Sequence, residues 1–196
     1  MMSYDGLTLA ADPVQGHLGG NIRGGDPFTF APTVWDYLIG RFAIESVLDL
    51  GSGAGNAARF FAARGCRTIA VDGFAENALT AVYPTVVHDL TSGPVVTRVD
   101  LVHCQEVVEH IEEQYLGHLL DSLTCGKFLV MTHAVPGQAG YHHVNCQPST
   151  YWIGHLAARG FSWLDEDSRR VREFARIDGA AYLVQNGMVF ANSHRI

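Results

Sequence analysis

Glu106, Glu109 and His110, in the run Gln105-Glu106-Val107-Val108-Glu109-His110, set two carboxylates and an imidazole close together in the chain. Residues three and four apart share a helix face, so on a helix these three side chains would converge while Val107 and Val108 turn to a core. Such an oxygen-and-nitrogen set suits Mg²⁺, Mn²⁺ or Zn²⁺ rather than a thiolate-bound metal. A closed site needs another ligand, which His143 or His142, in Tyr141-His142-His143-Val144-Asn145, would provide. His133, directly after Met131-Thr132, joins His142 and His143 as a candidate general base. An imidazole, with an unperturbed pKa of about 6.5, can accept a hydroxyl proton near neutral pH. His17, His88, His118, His155 and His194 stand alone and read as surface or core residues.

A second constellation is Asp49-Leu50-Gly51-Ser52-Gly53-Ala54-Gly55-Asn56. Its glycines let the backbone approach a ligand closely, and a turn after a strand lies where open α/β sheets bind theirs. The spacing is G-x-G-x-G, and Asn56 stands where a dinucleotide fingerprint has its third glycine. Asp49 is better suited to a cationic ligand, such as a sulfonium amino acid, than to a pyrophosphate. Asp72 could accept ribose hydroxyl protons, and Asp89, in His88-Asp89-Leu90, a proton from an adenine amino group. Both also stand where they would cap helices.

The elements that must position these groups alternate. Residues 46–50 read as a strand, 57–65 as a helix, 68–71 as a strand, 75–82 as a helix, and 85–88 and 101–104 as strands. A helix from about 107 to 123, a strand at 128–131 and a helix from about 149 to 159 follow, and 33–42 forms a short amphipathic helix before the first strand. Stretches around 181–184 and 188–191, joined by Asn186-Gly187, carry a hairpin signal. The expected fold is a three-layer α/β/α Rossmann-like sandwich, with a mostly parallel seven-stranded sheet and an antiparallel C-terminal hairpin. Residues 1–32, rich in glycine, form an arm or lid, and 33–196 a single domain. That arm, with Trp35 and Tyr37, and the loop 136–148 would cover the substrate. Trp35, Tyr37, Tyr141, Tyr151 and Trp152 would line a pocket or fill the core. Arg169, Arg170, Arg172 and Arg176, interleaved with acids, read as a solvated helix face.

The motifs VLDLGSGAG, AVDG, HDL and DLVHCQEVVEH occur in order at consecutive strand ends. Over about residues 45 to 135 the sequence resembles the class I S-adenosylmethionine-dependent methyltransferases. The resemblance implies that Asp49 and the turn of Gly51, Ser52, Gly53 and Gly55 hold the methionine part of S-adenosyl-L-methionine. Asp72 with Gly73 would take the ribose, Asp89 with Leu90 the adenine, and Gln105 would complete the cofactor contacts. Glu106-Val107-Val108-Glu109-His110 also resembles the metal motif of the ubiquinone-pathway O-methyltransferases and the small-RNA 3′-terminal 2′-O-methyltransferases. His143 best matches the further histidine of the RNA group.

Thirteen basic against 20 acidic side chains give a net charge of −7, which disfavours a nucleic-acid partner. No apolar run approaches the roughly 20 residues of a membrane span, and the chain opens without a signal-like segment, so a cytoplasmic protein is expected. The expected activity is methyl transfer to a hydroxyl, less readily an amine, of a small molecule, with or without a divalent metal. Rival readings are an enzyme acting on an RNA terminus, a non-catalytic cofactor-binding protein and a nicotinamide-dependent oxidoreductase, the last opposed by Asn56. Oligomeric state is not legible in the sequence.

Overall fold

The computed structural model describes residues 6–12 and 14–194; the remaining residues of the N-terminal arm, 1–5 and Pro13, lie outside the described residues. Its centre is a seven-stranded sheet built from β3 (Ser46–Leu50), β4 (Arg67–Asp72), β5 (Thr85–Val87), β6 (Val99–Cys104), β7 (Gly126–Met131), β8 (Phe161–Trp163) and β9 (Met188–Asn192). The spatial order is β5-β4-β3-β6-β7-β9-β8, with β5 to β7 parallel and β9 antiparallel to both neighbours. The chain runs outward from β3 to β5 and then returns to β6 on the other side of β3. Strand order therefore reverses between β3 and β6, where such sheets open a crevice at their carboxyl ends.

Alternation along the strands builds two cores. Leu48, Leu50 and Val102 face α4 (Leu116–Leu123) and α5 (Ser149–Ala157) on one side, where Leu119, Leu120, Trp152 and Leu156 are buried. Val47, Leu101 and Val189 face the other side, packed with α1 (Pro32–Phe42), α2 (Asn56–Ala63), α6 (Asp165–Asp178) and α7 (Ala181–Asn186). The seventh helix among the described residues, α3 (Ala75–Thr80), follows β4. The three-layer α/β/α architecture expected from the sequence is the one observed.

Three elements differ from the sequence reading. Residues 181–186 are helical, and β9 pairs with β8 instead, so the antiparallel edge pair is joined through two helices. A short apolar run does not distinguish strand from helix by periodicity alone. Here Gly179, in the left-handed region at φ +72°, closes α6 and lets α7 fold back with Leu183 buried. The expected helix 107–123 is interrupted: 3₁₀ turns at Val108–His110 and Glu113–Tyr115 precede α4. The Glu109 carbonyl accepts the N–H groups of Val144 and Asn145, both at 3.0 Å, so the later loop takes the acceptor a continuing helix would have used. In the glycine-rich arm, β1 (Leu9–Ala11) and β2 (Gly19–Ile22) pair as an antiparallel ribbon.

Candidate active site

A cavity of about 560 Å³ opens at the carboxyl ends of β3, β4 and β6. The first wall is the glycine turn, which is tied to the neighbouring strand: Gly51 N–H and Ser52 N–H both donate to the Val71 carbonyl, at 2.8 and 3.0 Å. Gly51 has φ +72°, and a Cβ there would collide with the Val107 side chain. Glycine is thus required at that position twice over, for its dihedral and for its close approach.

Asp49 and His103 are directly paired residues of β3 and β6, on the same sheet face. His103 Nδ1 lies 2.7 Å from Asp49 Oδ1, and the Trp35 indole N–H donates to His103 Nε2 at 3.2 Å. An indole only donates, so the imidazole proton sits on Nδ1 and is given to Asp49. Ala58 N–H donates to the other Asp49 oxygen at 3.0 Å. Asp49 is therefore held from α1, β6 and α2 together. Sequence reasoning missed His103; its alternation with Leu101 on a strand facing Val47 and Asp49 was the available signal.

Asp72 is comparably engaged. Gly53 N–H donates to Oδ2 at 2.8 Å, while Phe74 N–H and Asn77 Nδ2 donate to Oδ1, both at 2.9 Å. Burial nevertheless raises its pKa. Asp89 Oδ1 accepts from Thr91 N–H, and His17 Nε2 lies 3.1 Å from Oδ2. Burial opposes ionisation of Asp89, but those hydrogen bonds outweigh it and hold its pKa low. Gly73 and Leu90 complete this wall. Leu18 lies over Gly73, and Asn21 and Asn77 exchange side-chain amide hydrogen bonds at 2.9 and 3.1 Å, so the β1–β2 arm roofs the cavity. Tyr141, also in the lining, packs against that arm, its ring beside Gly20 and its hydroxyl donating to the Asp12 carbonyl at 3.3 Å.

The opposite wall is less satisfied. Gln105 is 9% exposed and neither its Oε1 nor its Nε2 has a partner, whereas on the first wall the one buried side-chain polar atom left unpartnered among the described residues is Ser52 Oγ. Glu106 has φ +56°, a conformation non-glycine residues rarely adopt. Thr132 braces it: Glu106 N–H donates to Thr132 Oγ1, which donates to Glu106 Oε1, both at 2.8 Å. Burial, with the charge of Asp26 adding to it, pushes the Glu106 carboxyl up to about 7. Glu109 is 0% exposed with both oxygens unpartnered, and burial with the nearby Glu106 charge raises it well above the usual carboxylate range.

One ligand atom each from Glu109, His110 and His143 lie within 4.8 Å of one another. Glu106 is not in that group: the helix that would have brought it onto the same face as Glu109 and His110 does not form. Burial, with His143 and His142 adding to it, lowers His110 to about 4, so its imidazole is neutral. His143 Nδ1 lies 3.1 Å from the Gln138 carbonyl and donates to it, which leaves Nε2 as the ring nitrogen available to a ligand. The other two base candidates stand elsewhere. His133 is buried outside the cavity, with Nε2 3.0 Å from Ser149 Oγ and its ring beside Trp152. His142 Nε2 lies 3.3 Å from Glu112 Oε1, also outside the cavity lining. Trp35 borders the cavity, whereas Tyr37 donates to Asp167 on α6 and Trp152 is core.

A family profile described as a methyltransferase domain matches residues 26–168. No protein with a curated description matches the sequence. Among solved structures, magnesium protoporphyrin IX methyltransferase from Synechocystis PCC 6803, with bound S-adenosylmethionine, aligns at 16% identity and TM-score 0.54, over 68% of this chain and 70% of that one. The Burkholderia thailandensis 1,6-didemethyltoxoflavin-N1-methyltransferase, with 1,6-didemethyltoxoflavin and S-adenosylhomocysteine bound, aligns at 17% and 0.52, over 69% of each chain. The cyclase SpnF aligns at 14% and 0.56, over 82% of this chain and 81% of that one. At these identities the likeness is one of fold. Among the described residues no helix is long and apolar enough to cross a membrane.

Proposed function

The chain belongs to the methyltransferase-domain family, and on that premise we propose that it transfers a methyl group from S-adenosylmethionine to a small-molecule hydroxyl, with a divalent cation at Glu109, His110 and His143. The observation carrying this reading is the division of one cavity at the β3/β6 crossover. One wall is a glycine turn with Asp49, Asp72 and Asp89 behind it, and the other presents unpartnered Gln105 and the imidazoles of His110 and His143. In this reading Gly51 to Gly55 and Asp49 hold the methionine part, Asp72 and Gly73 the ribose, and Asp89 and Leu90 the adenine.

The residues suit a cation as well. Glu109 contributes two buried oxygens that no protein donor satisfies, His110 is neutral, and the Gln138 carbonyl fixes His143 with Nε2 available to a ligand. Bound there, a divalent ion supplies positive charge that makes an acceptor hydroxyl easier to deprotonate. The chain's own share is positional. The arm and Tyr141 exclude water, the Asp49–His103–Trp35 chain holds the turn, and the acceptor oxygen is aimed at the methyl carbon for in-line attack. Fold likeness to a cyclase keeps one second reading, a cofactor-binding protein that does not transfer the methyl group.

Calorimetric titration with S-adenosylhomocysteine should give 1:1 binding, weakened at least about tenfold in Asp72→Ala, a loss of about 1.4 kcal/mol. Elemental analysis after dialysis against Mg²⁺, Mn²⁺ or Zn²⁺ should find a stoichiometric ion, lost in the Glu109→Gln, His110→Ala variant. Absence of cofactor binding rejects the proposal, and equal metal content in both proteins rejects its metal part. Cofactor binding without labelled methyl transfer to any hydroxyl or amine acceptor would favour the second reading.

A further inference from the structure

The charge of the cavity bears on the acceptor. Its lining holds the carboxylates of Asp26, Asp49, Asp72, Asp89 and Glu106 and, among the described residues, no arginine or lysine. Asp49, Asp72 and Asp89 belong to the wall already assigned to the cofactor. Asp26 and Glu106 do not. Asp26 comes from the loop after β2, where Phe28 N–H donates to Oδ1 at 2.8 Å and the Tyr182 hydroxyl to Oδ2 at 3.1 Å. Glu106 is braced through Oε1 by Thr132, in a left-handed backbone conformation that Gly or Asn would adopt more readily. Thus both carboxylates are fixed in orientation by their neighbours, and both border the same space.

A second observation concerns Gln105, which the sequence resemblance set among the cofactor contacts and which precedes Glu106 in the cavity lining. Gln105 is 9% exposed, borders the cavity, and has neither amide atom hydrogen-bonded. Buried amides are rarely left so, and the group that satisfies this one must both donate and accept. A low-dielectric cleft lined by one sign of charge concentrates ligands of the opposite sign. An anionic group set against Asp26 and Glu106 would meet like charge, with no arginine or lysine in the lining to offset its desolvation; the ion proposed above belongs to Glu109, His110 and His143, a group that does not include Glu106.

We propose that the acceptor carries a protonated amine, held by Asp26 and Glu106 while Gln105 binds a neighbouring hydroxyl or carbonyl, and that it carries no carboxylate, phosphate or sulfate. The inference rests on the cavity being the acceptor site of a methyltransferase. It disfavours an RNA terminus, whose phosphates would face Asp26 and Glu106.

The test uses full-length protein saturated with S-adenosylhomocysteine and two matched triads of probes. These are dopamine, 4-methylcatechol and 3,4-dihydroxybenzoate, and glucosamine, glucose and glucuronate. Calorimetry should rank cationic over neutral by about tenfold or more in at least one triad, as expected for a charge-assisted hydrogen bond, with no heat from the anionic members. The preference should fall below about threefold in Asp26→Asn, Glu106→Gln, whose retained S-adenosylhomocysteine affinity reports that it has folded. Equal or reversed ranking, no heat from either cationic probe, or a preference surviving in the folded variant overturns the inference. The wild-type ranking decides even if the variant does not fold. Wild-type protein that fails to bind S-adenosylhomocysteine overturns the methyltransferase reading itself, a result distinct from a wrong ranking.

Discussion

The two walls of the cavity are made differently. On the wall proposed for the cofactor, Asp49, Asp72 and Asp89 have defined protein partners, and the glycine turn is fastened to β4 by backbone hydrogen bonds. On the wall proposed for the acceptor, Gln105 is buried with unpartnered polar atoms and Glu106 sits in a left-handed conformation, while the buried Glu109, outside the cavity lining, has both oxygens unpartnered. A preorganised wall binds a constant ligand at little reordering cost. A wall with polar groups that no protein atom satisfies carries an energetic deficit that a ligand or ordered water removes, and such deficits concentrate at functional sites.

The contrast can be broken first on the cofactor wall. Gly51→Ala adds a Cβ against Val107 at φ +72°, and should lower the melting temperature and abolish S-adenosylhomocysteine binding at millimolar concentration. If affinity is retained, the turn is not the preorganised element described here. Asp72→Ala comes next: it strips Gly53, Phe74 and Asn77 of their acceptor. Denaturant unfolding of the cofactor-free protein should show a loss of about 1–3 kcal/mol.

On the acceptor wall the sign reverses. The folded-state pKa of Glu106 is about 7, against an ordinary value of 4.5. Between those values the folded state binds a proton that the unfolded state has released, so stability falls as pH rises through the window. Glu106→Gln, which keeps the Thr132 hydrogen bond, should therefore stabilise the ligand-free protein on the order of 1–3 kcal/mol at pH 8 and hardly at all near pH 4. A destabilised variant at pH 8 would mean that Glu106 is as well accommodated as Asp72. His110 slopes the other way: its folded pKa of about 4 lies below the ordinary 6.5, so stability from this group rises with pH between the two. The smallest effect is expected for Trp35→Phe, which removes the indole donor to His103. A loss of about 1 kcal/mol, with the His103–Asp49 bond retained, is the expected unfolding result.

The first part of the chain was the more legible. Ser46–Leu50 followed by glycines at alternate positions is a local signal, because strand alternation and left-handed turn residues act over a few neighbours. That was enough to determine the α/β layering, the turn and the strand-end acids Asp49, Asp72 and Asp89. Tertiary structure alone decided the rest. Val144 and Asn145, 35 and 36 residues beyond Glu109, take its carbonyl and end the helix that the sequence pattern suggests. The same loop brings His143 to Glu109 and His110 and leaves Glu106 apart, facing the cavity with Asp26. His103 meets Asp49 through pairing on an adjacent strand, and His133 packs beside Trp152, outside the cavity lining. Hydrogen bonds and burial between segments distant in sequence carry no periodic trace, so this half of the site became visible only once the chain was folded.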